Sequence, residues 1–498
     1  MSMHSADSNT NTNTVEIGQG RIPRSVKMIL AVLVITAFVM MLNETTVAVA
    51  MPAIMADYAI TATTAQWLLT GFLLTMAVVL PTTGWMLERF TTRSVFLFAT
   101  VTFLLGTVAA AVAPMFAVIL AARVLQAIGT AMIMPLLMTV SMTLVPAQRR
   151  GAVMGLIAVV MAAGPALGPT VAGAVLSFTS WHGIFWVMVP LVAAATLIGA
   201  FKLTNVGERR ASPFDLLSVI LSVFAFGGLV YGLSSFSVII GGGQAATIVI
   251  AVLIVGVVGL GLFVWRQLAR GKRHQALLDL RPLAARNFTL SLIVLMGLMA
   301  ALLGVVSTLP LYLQGSLLVT ALVSGLVLLP GGALEAVLAP IAGRLFDRVG
   351  PRPLIIPGMA IVAATLFALA FVDEHTSVGL IIAFYAVFCI GLALLFTPIM
   401  TTALGSLPAH QYGHGSAILN TLQQLAGAAG TALLITIYSG TSGRAMAQRV
   451  AEPTALADGA STAFMAAAIV AAATFVVSLF ITRAPRQPGE QPTVETAK

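Results

Sequence analysis

Glu44, Arg123 and Glu335 are ionisable residues set inside long apolar runs. A charge within a bilayer is costly, so such residues face a bundle interior or a wet cavity and mark ion or substrate paths. Desolvation disfavours the charged form of a carboxyl. In that setting Glu44 can bind either a proton or a cationic substrate, and competition between the two would couple their movements. The alternative is a carboxyl permanently paired with a polar neighbour such as Asn43. Arg123 stays protonated, so its burial requires partners. It either holds a carboxylate, Glu44 foremost, in one conformational state, or forms a static structural pair. Gln126 shares its helix face and extends the polar group. Glu335 lies in Pro330-Gly331-Gly332-Ala333-Leu334-Glu335. It reads as a second protonation site or a contact for a cationic substrate, and alternatively as a carboxyl near a membrane face or one kept protonated.

Other residues could shape a cavity around these charges. Met40 and Met41, one turn before Glu44, offer an adaptable apolar surface, although core packing explains each alone. Asn420, Gln423 and Gln424 either line a cavity or hydrogen-bond between helices. Gly164, Gly168 and Ala172 recur at intervals of four, a small face that admits a close helix, and Pro165 and Pro169 bend the segment carrying them. Gly325, Gly331 and Gly332 make a matching small surface later in the chain. The single cysteine, Cys389, excludes an intrachain disulfide and reads as core. The histidines fall in loops or the N-terminal tail and carry no assignment.

The elements that must hold these residues are membrane helices. Of 498 residues, 59% are hydrophobic and only 8% charged, against about a quarter charged in a soluble domain. The apolar runs are near 20 residues, the length that crosses a core of about 30 Å, and spanning backbone must satisfy itself within each segment. Expected spans are 26–48, 63–86, 95–113, 115–142, 151–177, 183–203, 214–236, 244–266, 288–313, 321–345, 353–372, 377–402, 413–438 and 461–482. With the N-terminus in the cytoplasm, all but three of the 25 Lys and Arg fall on the cytoplasmic side. Arg444 and Arg449 fall opposite and Arg123 within a span. By the positive-inside rule this fixes an even count and two cytoplasmic termini. The +9 charge therefore reads as topology and not as nucleic-acid binding. Arg21, Arg24 and Lys27 before the first run look like the start of a signal peptide. However, that run is long, lacks a small-residue cleavage site and carries Glu44, so it is expected to be a retained helix.

The chain also repeats itself. Gly84, Glu88, Arg89 and Arg93 follow span 2, and Gly343, Asp347, Arg348 and Arg352 follow span 10 at the same spacing. The eight-helix offset implies two six-helix halves with two helices inserted between them, the repeated-bundle plan of secondary transporters. Both motifs are expected to latch the cytoplasmic side, an acid accepting from an arginine or a helix N-terminus; the plainer reading of their arginines is topology alone.

These features resemble the major facilitator superfamily, and within it the fourteen-span drug:proton antiporters of EmrB/QacA type, over residues 25 to 482. The resemblance rests on Leu42-Asn43-Glu44-Thr45 through Ala50-Met51-Pro52, on Gly84 to Arg93, and on Arg123-Val124-Leu125-Gln126-Ala127-Ile128-Gly129. It rests further on Gly164-Pro165 through Gly168-Pro169 with Gly173, and on Gly415 to Gly430. The pattern departs from the family where Asn43 and Glu44 replace an earlier Asp, at Glu88 in place of Asp, and at Thr91 in place of Gly.

The resemblance implies an all-α integral membrane protein with two six-helix bundles plus two inserted helices, 14 transmembrane helices and both termini cytoplasmic. The expected parts are a disordered tail (1–25), an N-terminal bundle (26–203), a linker with the inserted helices (204–286), a C-terminal bundle (287–482) and a cytoplasmic tail (483–498). It implies proton-coupled export of lipophilic drugs or toxic compounds by rocking around a midplane cavity, Arg123 serving proton coupling and the Gly164–Gly173 motif sealing the outward side, while buried acids with no span-borne lysine favour cationic, or else neutral, lipophilic substrates. Bacterial-type plasma-membrane localisation, monomeric function and no cofactor beyond the proton gradient are expected. The partners are the small lipophilic substrate, protons and the bilayer, with no nucleic acid. A dedicated transporter of one metabolite, antibiotic or lipid is the alternative. No Gly-x4-Gly-Lys-Ser/Thr loop for ATP is present, and no Ser-His, Asp-Asp or HExxH set in the spans supports an enzyme.

Overall fold

Apolar segments that must satisfy their own backbone fold as helices. The computed structural model describes residues 23–203, 205, 215–271 and 275–482, and among them there is no strand. Residues 1–22 of the expected N-terminal tail (1–25) and the expected tail at 483–498 lie outside the described residues, with Arg21, Arg209, Arg210, Lys272, Arg273, Arg483, Arg486 and Lys498.

The N-terminal helices are α1 (Arg24–Tyr58), α2 (Trp67–Arg89), α3 (Thr92–Ala111), α4 (Phe116–Leu144), α5 (Arg150–Leu176) and α6 (His182–Lys202). Next come α7 (Leu216–Ser234), interrupted by a π turn at Val223–Gly227, and α8 (Gly243–Gly271). The remainder are α9 (Arg286–Gly315), α10 (Ala321–Val349), α11 (Arg352–Leu369), α12 (Val378–Gly405), α13 (Tyr412–Ala447) and α14 (Glu452–Ser478). Among the described residues, 13 helices are long and apolar enough to cross a membrane. The helix outside that set, α5, is 27 residues long.

Three helices overrun their expected ends. Helix α1 continues ten residues beyond 48, α13 continues to Ala447, and α14 starts at Glu452 and not at 461. Hydropathy marks only the part of a helix that lies in lipid. At 1.5 Å per residue about 20 residues suffice for the core, so the ends carrying Asp57, Glu452 and Asp458 project past it.

The internal repeat reappears in the packing. In the first half α1 packs on α4, α5 and α6, α2 on α4, and α3 on α4 and α6. Adding eight to each number gives the second half: α9 on α12, α13 and α14, α10 on α12, and α11 on α12 and α14. The two bundles meet along two seams, α5 with α10 and α2 with α13, which exchange under the same offset. The end of the molecule bearing Arg89, Arg149, Arg344 and Arg348 is called here the basic end.

The inserted pair covers one seam. Helix α7 lies against α2 and α13, and α8 packs behind it. Trp67 stacks on Tyr231 at 5.9 Å. The two inserted helices touch through backbone, because a Cβ on Gly228 would sit 2.8 Å from the Gly256 Cα. At the basic end the Asp215 carboxylate accepts from Arg266 Nε (3.0 Å) and Nη2 (2.8 Å) and pairs with Arg270 at 3.2 Å. It also accepts from the Ser218 hydroxyl at 2.6 Å and caps its helix.

Burial works to raise the Asp215 carboxyl, but the hydrogen bonds from Arg266 and Ser218 outweigh it and hold it below the usual carboxylate range. A depressed folded value stabilises above the unfolded value, and that stability is lost as pH falls through the folded one. We therefore expect Asp215→Asn to melt below wild type at neutral pH, with the gap closing at acid pH. Scanning fluorimetry of the solubilised protein reads both. A gap that ignores pH would show that charge is not what holds the pair.

Candidate functional site

Arg123 is fully buried inside the N-terminal bundle, and helices from all around supply its partners. Its Nε donates to the Leu68 carbonyl at 3.2 Å, and its Nη1 donates to Asn43 Oδ1 and Gln126 Oε1, each at 3.0 Å. The guanidinium lies 4.1 Å from the centre of the Phe72 ring, a favourable cation–π placement. Gln126 Nε2 passes the network to Thr107 at 3.2 Å, and Asn43 Nδ2 contacts the Met188 sulfur at 3.0 Å. One arginine thus ties α1, α2, α4 and, through its neighbours, α3 and α6. Asn43 and Gln126 are fully buried in this network and do not line an open cavity, and Met40 is fully buried core.

Glu44 follows Asn43 on α1, so it points about 100° around the helix from it. No ion pair joins Glu44 to Arg123 among the described residues. Asn43, a neutral carbonyl, takes the place expected for the carboxylate. The two charges still act on each other. Glu44 Oε2 and Arg123 Nη2 are both buried without a hydrogen-bond partner among the described residues, an expensive condition for ionic groups. Glu335 is on α10 in the other bundle, within electrostatic reach of Tyr385 and Cys389 of α12 and without a hydrogen bond among the described residues. Glu44 and Arg123 are brought together, and Glu335 is held apart from them.

At the basic end Asp347 crosses between bundles. Its Oδ1 accepts from the Gly151 N–H at 2.7 Å and its Oδ2 from the Ala152 N–H at 3.0 Å. The carboxylate thereby satisfies two of the orphan donors at the α5 N-terminus and meets the positive end of the helix dipole. The approach is possible because Gly151 faces Gly343, and a Cβ on Gly155 would come within 2.7 Å of the Ala339 carbonyl. In the first repeat Glu88 plays the matching part with different chemistry. It pairs at 3.2 Å with His414 Nε2 in the first turn of α13, where Gly84 leaves room for the imidazole. His414 Nδ1 accepts from the Asp279 N–H at 3.2 Å, and Asp279 pairs with Arg281.

His414 is 2% exposed; it belongs to a helix and a buried contact, against the expectation that the histidines lie in loops and the tail. The available clue was its place in Tyr412-Gly413-His414-Gly415 at the mouth of a span. Arg352 turns back within its own bundle, its Nε donating to the Ile481 carbonyl at 2.9 Å. Arg93 and Arg348 are exposed. Arg89, at the end of α2, is exposed as well.

The glycine motif of α5 meets a different partner from the one expected. A Cβ on Gly164 would lie 2.8 Å from the Met41 Cβ, and one on Gly168 would collide with Thr45 and lie 3.0 Å from the Leu42 carbonyl. These residues flank Glu44 on α1, in the same bundle. Gly331 faces Tyr385 and Cys389, while Gly173, Gly325 and Gly332 have no described atom within 4 Å of a built Cβ. In this conformer the bundles are joined at the basic end, and the glycines of the other half do not meet across the seam. The side chains of Pro165 and Pro169 lie outside the described residues. Asn420 donates to the Ser416 carbonyl at 2.8 Å and touches the Met138 sulfur, and Gln423 contacts the Met400 sulfur at 3.7 Å.

Comparison with known proteins agrees with this geometry. The family model of the Major Facilitator Superfamily matches residues 33–431. The lincomycin resistance protein LmrB of Bacillus subtilis is 40% identical over 457 residues, covering 91% of this chain and 95% of that protein. The uncharacterized MFS-type transporter YcnB of the same species is 38% identical, covering 94% and 98%. A multidrug resistance protein B homolog of Mycobacterium tuberculosis is 28% identical, covering 80% and 73%. Among solved structures, the human organic anion transporter MFSD10 (TETRAN) superposes with a TM-score of 0.64 at 14% identity, over 92% of this chain and 100% of that one, a likeness of fold.

If Asp347 holds the basic end closed, Asp347→Asn should weaken that closure by about 1–2 kcal/mol, a shift of roughly tenfold. The measurement is the rate of maleimide labelling of Ala339→Cys, buried at this seam, in a Cys389→Ala background. An unchanged rate would remove Asp347 from the latch.

Proposed function

This chain belongs to the Major Facilitator Superfamily and is related to its multidrug and lincomycin resistance transporters, and from that premise we propose that it is a proton-coupled antiporter exporting lipophilic, cationic compounds. In this reading α1–α14 are fourteen spans, the basic end and both termini are cytoplasmic, and the protein works as a monomer in a bacterial cell membrane. The observation that carries the proposal is the Glu44 carboxyl, with an unpartnered buried oxygen beside a guanidinium that also keeps one nitrogen unpartnered. A neutral or a charged Glu44 then changes the balance of a network that spans the bundle.

Helix α5 supplies the link from proton to gate. Its Gly164 and Gly168 press against the α1 turn that carries Glu44, and its first residues are clamped by Asp347. From Gly151 to Gly164 the helix spans about 20 Å without interruption. A change in how α1 seats on α5 therefore reaches the latch as a movement of one rigid rod. A proton entering from the non-basic side neutralises Glu44, and a cationic compound on the basic side competes for the same carboxylate. Exchange of one proton for one monovalent cation moves no net charge, so the pH gradient drives export, each pH unit supplying about 1.4 kcal/mol, a tenfold accumulation of the compound outside. Glu335 is a second carboxyl on the opposing bundle, positioned for cation contact.

The lincomycin-resistance relatives, at 39–40% identity, favour a second reading in which one antibiotic class is the cargo. Proteoliposomes with an imposed pH gradient separate the two. Wild type is expected to move ethidium against its gradient and to dissipate the pH gradient when dye is added, and Glu44→Gln to do neither. Equal transport by both proteins would remove Glu44 from coupling. Proton-linked movement of lincomycin without ethidium would select the narrower cargo.

A further inference from the structure

A pocket of about 260 Å³ lies outside the Glu44–Arg123 site, at the seam the inserted helices cover. Its walls come from three units: Leu73 of α2, Val230 and Leu233 of α7, and Leu303 of α9 with the α13 face from Gln424 to Thr436. Among the described residues, no Asp, Glu, Lys, Arg or His lines it. The α13 face is small where it meets the space, at Gly427, Ala428 and Ala432. The side chains of Gln424 and Thr431 make no hydrogen bond within the described residues, and both border the opening. An apolar chamber with a few convergent polar groups is the usual form of a small-molecule site, and this one lies just below the roughly 300 Å³ at which drug-sized sites begin. A charged ligand would find no counter-ion here and would be costly to desolvate. An uncharged lipophile with one hydrogen-bonding group would bury its apolar part and satisfy Gln424 or Thr431.

We propose that this pocket between α2, α7, α9 and α13 is a second binding site, selective for uncharged lipophilic molecules carrying a single hydrogen-bonding group. It gives the inserted pair a role, since α7 forms the wall that closes it. The same chemistry belongs to an uncharged transported compound or to a neutral lipid of the bilayer.

The test uses full-length protein in nanodiscs, irradiated with a diazirine-bearing long-chain alcohol, and adducts mapped by mass spectrometry. Adducts are expected to concentrate at 230–236 and 431–436 and to fall at least tenfold in Ala432→Phe, which fills the chamber. Ala428→Phe is a second blocking variant should the first fail to elute as folded protein. An alkylammonium probe of equal length is expected to label these segments far less. Labelling is read with no pH gradient and no transport cargo present, so loss of the export reading and loss of this one are separate results. Displacement by excess unlabelled long-chain alcohol supports the proposal, displacement by diacylglycerol supports it and assigns the site to bilayer lipid, and displacement by ethidium would overturn the selectivity for uncharged molecules. Adducts spread evenly over the outward helix faces, or equal labelling in both blocking variants, would overturn it.

Discussion

Two helices pack most closely where at least one of them lacks a side chain at the contact, and α5 meets that condition at both of its working points. At Gly151 and Gly155 it lies against Gly343 and the Ala339–Pro340 backbone of the opposing bundle, and at Gly164 and Gly168 it lies against α1 beside Glu44. Close contact of this kind is stiff, because any added atom forces the helices apart. The candidate proton site and the candidate gate are thus joined by one helix, so a displacement at either place is carried to the other. The Arg123 network fixes the remaining walls: its partners come from α1, α2 and α4, so the turn bearing Glu44 has a firm backing.

The repeat explains both the economy of this arrangement and its departures from symmetry. The same helix pairs pack in both halves, yet the two candidate latches differ. Asp347 is short and reaches backbone N–H groups directly, whereas Glu88 meets an imidazole. The His414 ring in turn accepts from the linker that follows the inserted helices, and Gln267 of α8 accepts from the Leu278 N–H of the same linker at 3.1 Å. The insertion is therefore tied into one latch and not the other, and it covers one seam and not the other. Burial works to raise the Asp279 carboxyl, but the hydrogen bonds from Arg281 prevail and hold it below the usual range, so this tie stays ionised at neutral pH.

Much of this was legible in the sequence because lipid imposes simple rules. Apolar length gave the helices, and the spacing of Gly84–Arg93 and Gly343–Arg352 exposed the repeat before any packing was known. Glu44 and Arg123 drew attention because charge in an apolar run is rare. What stayed hidden depended on helix phase and on partners. Asn43 and Glu44 are adjacent, and only the rotation of α1 decides which one Arg123 receives. A small-residue face on α5 does not say which helix will lie against it, and the nearer partner proved to be α1. A histidine at the first turn of a span, as His414 is in 413–438, looks like loop until its buried contacts with Glu88 and Asp279 are seen. Helix ends were misplaced where polar residues continue a helix into water, as at Asp57 and Glu452.

The central claim is that the protonation state of Glu44 sets the closure of the basic end through α5. The most direct measurement is the distance distribution between spin labels at Arg93→Cys and Arg348→Cys, exposed positions on the two bundles, in a Cys389→Ala background. Glutamine mimics a neutral carboxyl, so the account predicts that Glu44→Gln at neutral pH reproduces the distribution of wild type at acid pH. A Glu44→Gln distribution identical to wild type at neutral pH, while wild type still shifts on acidification, would contradict it.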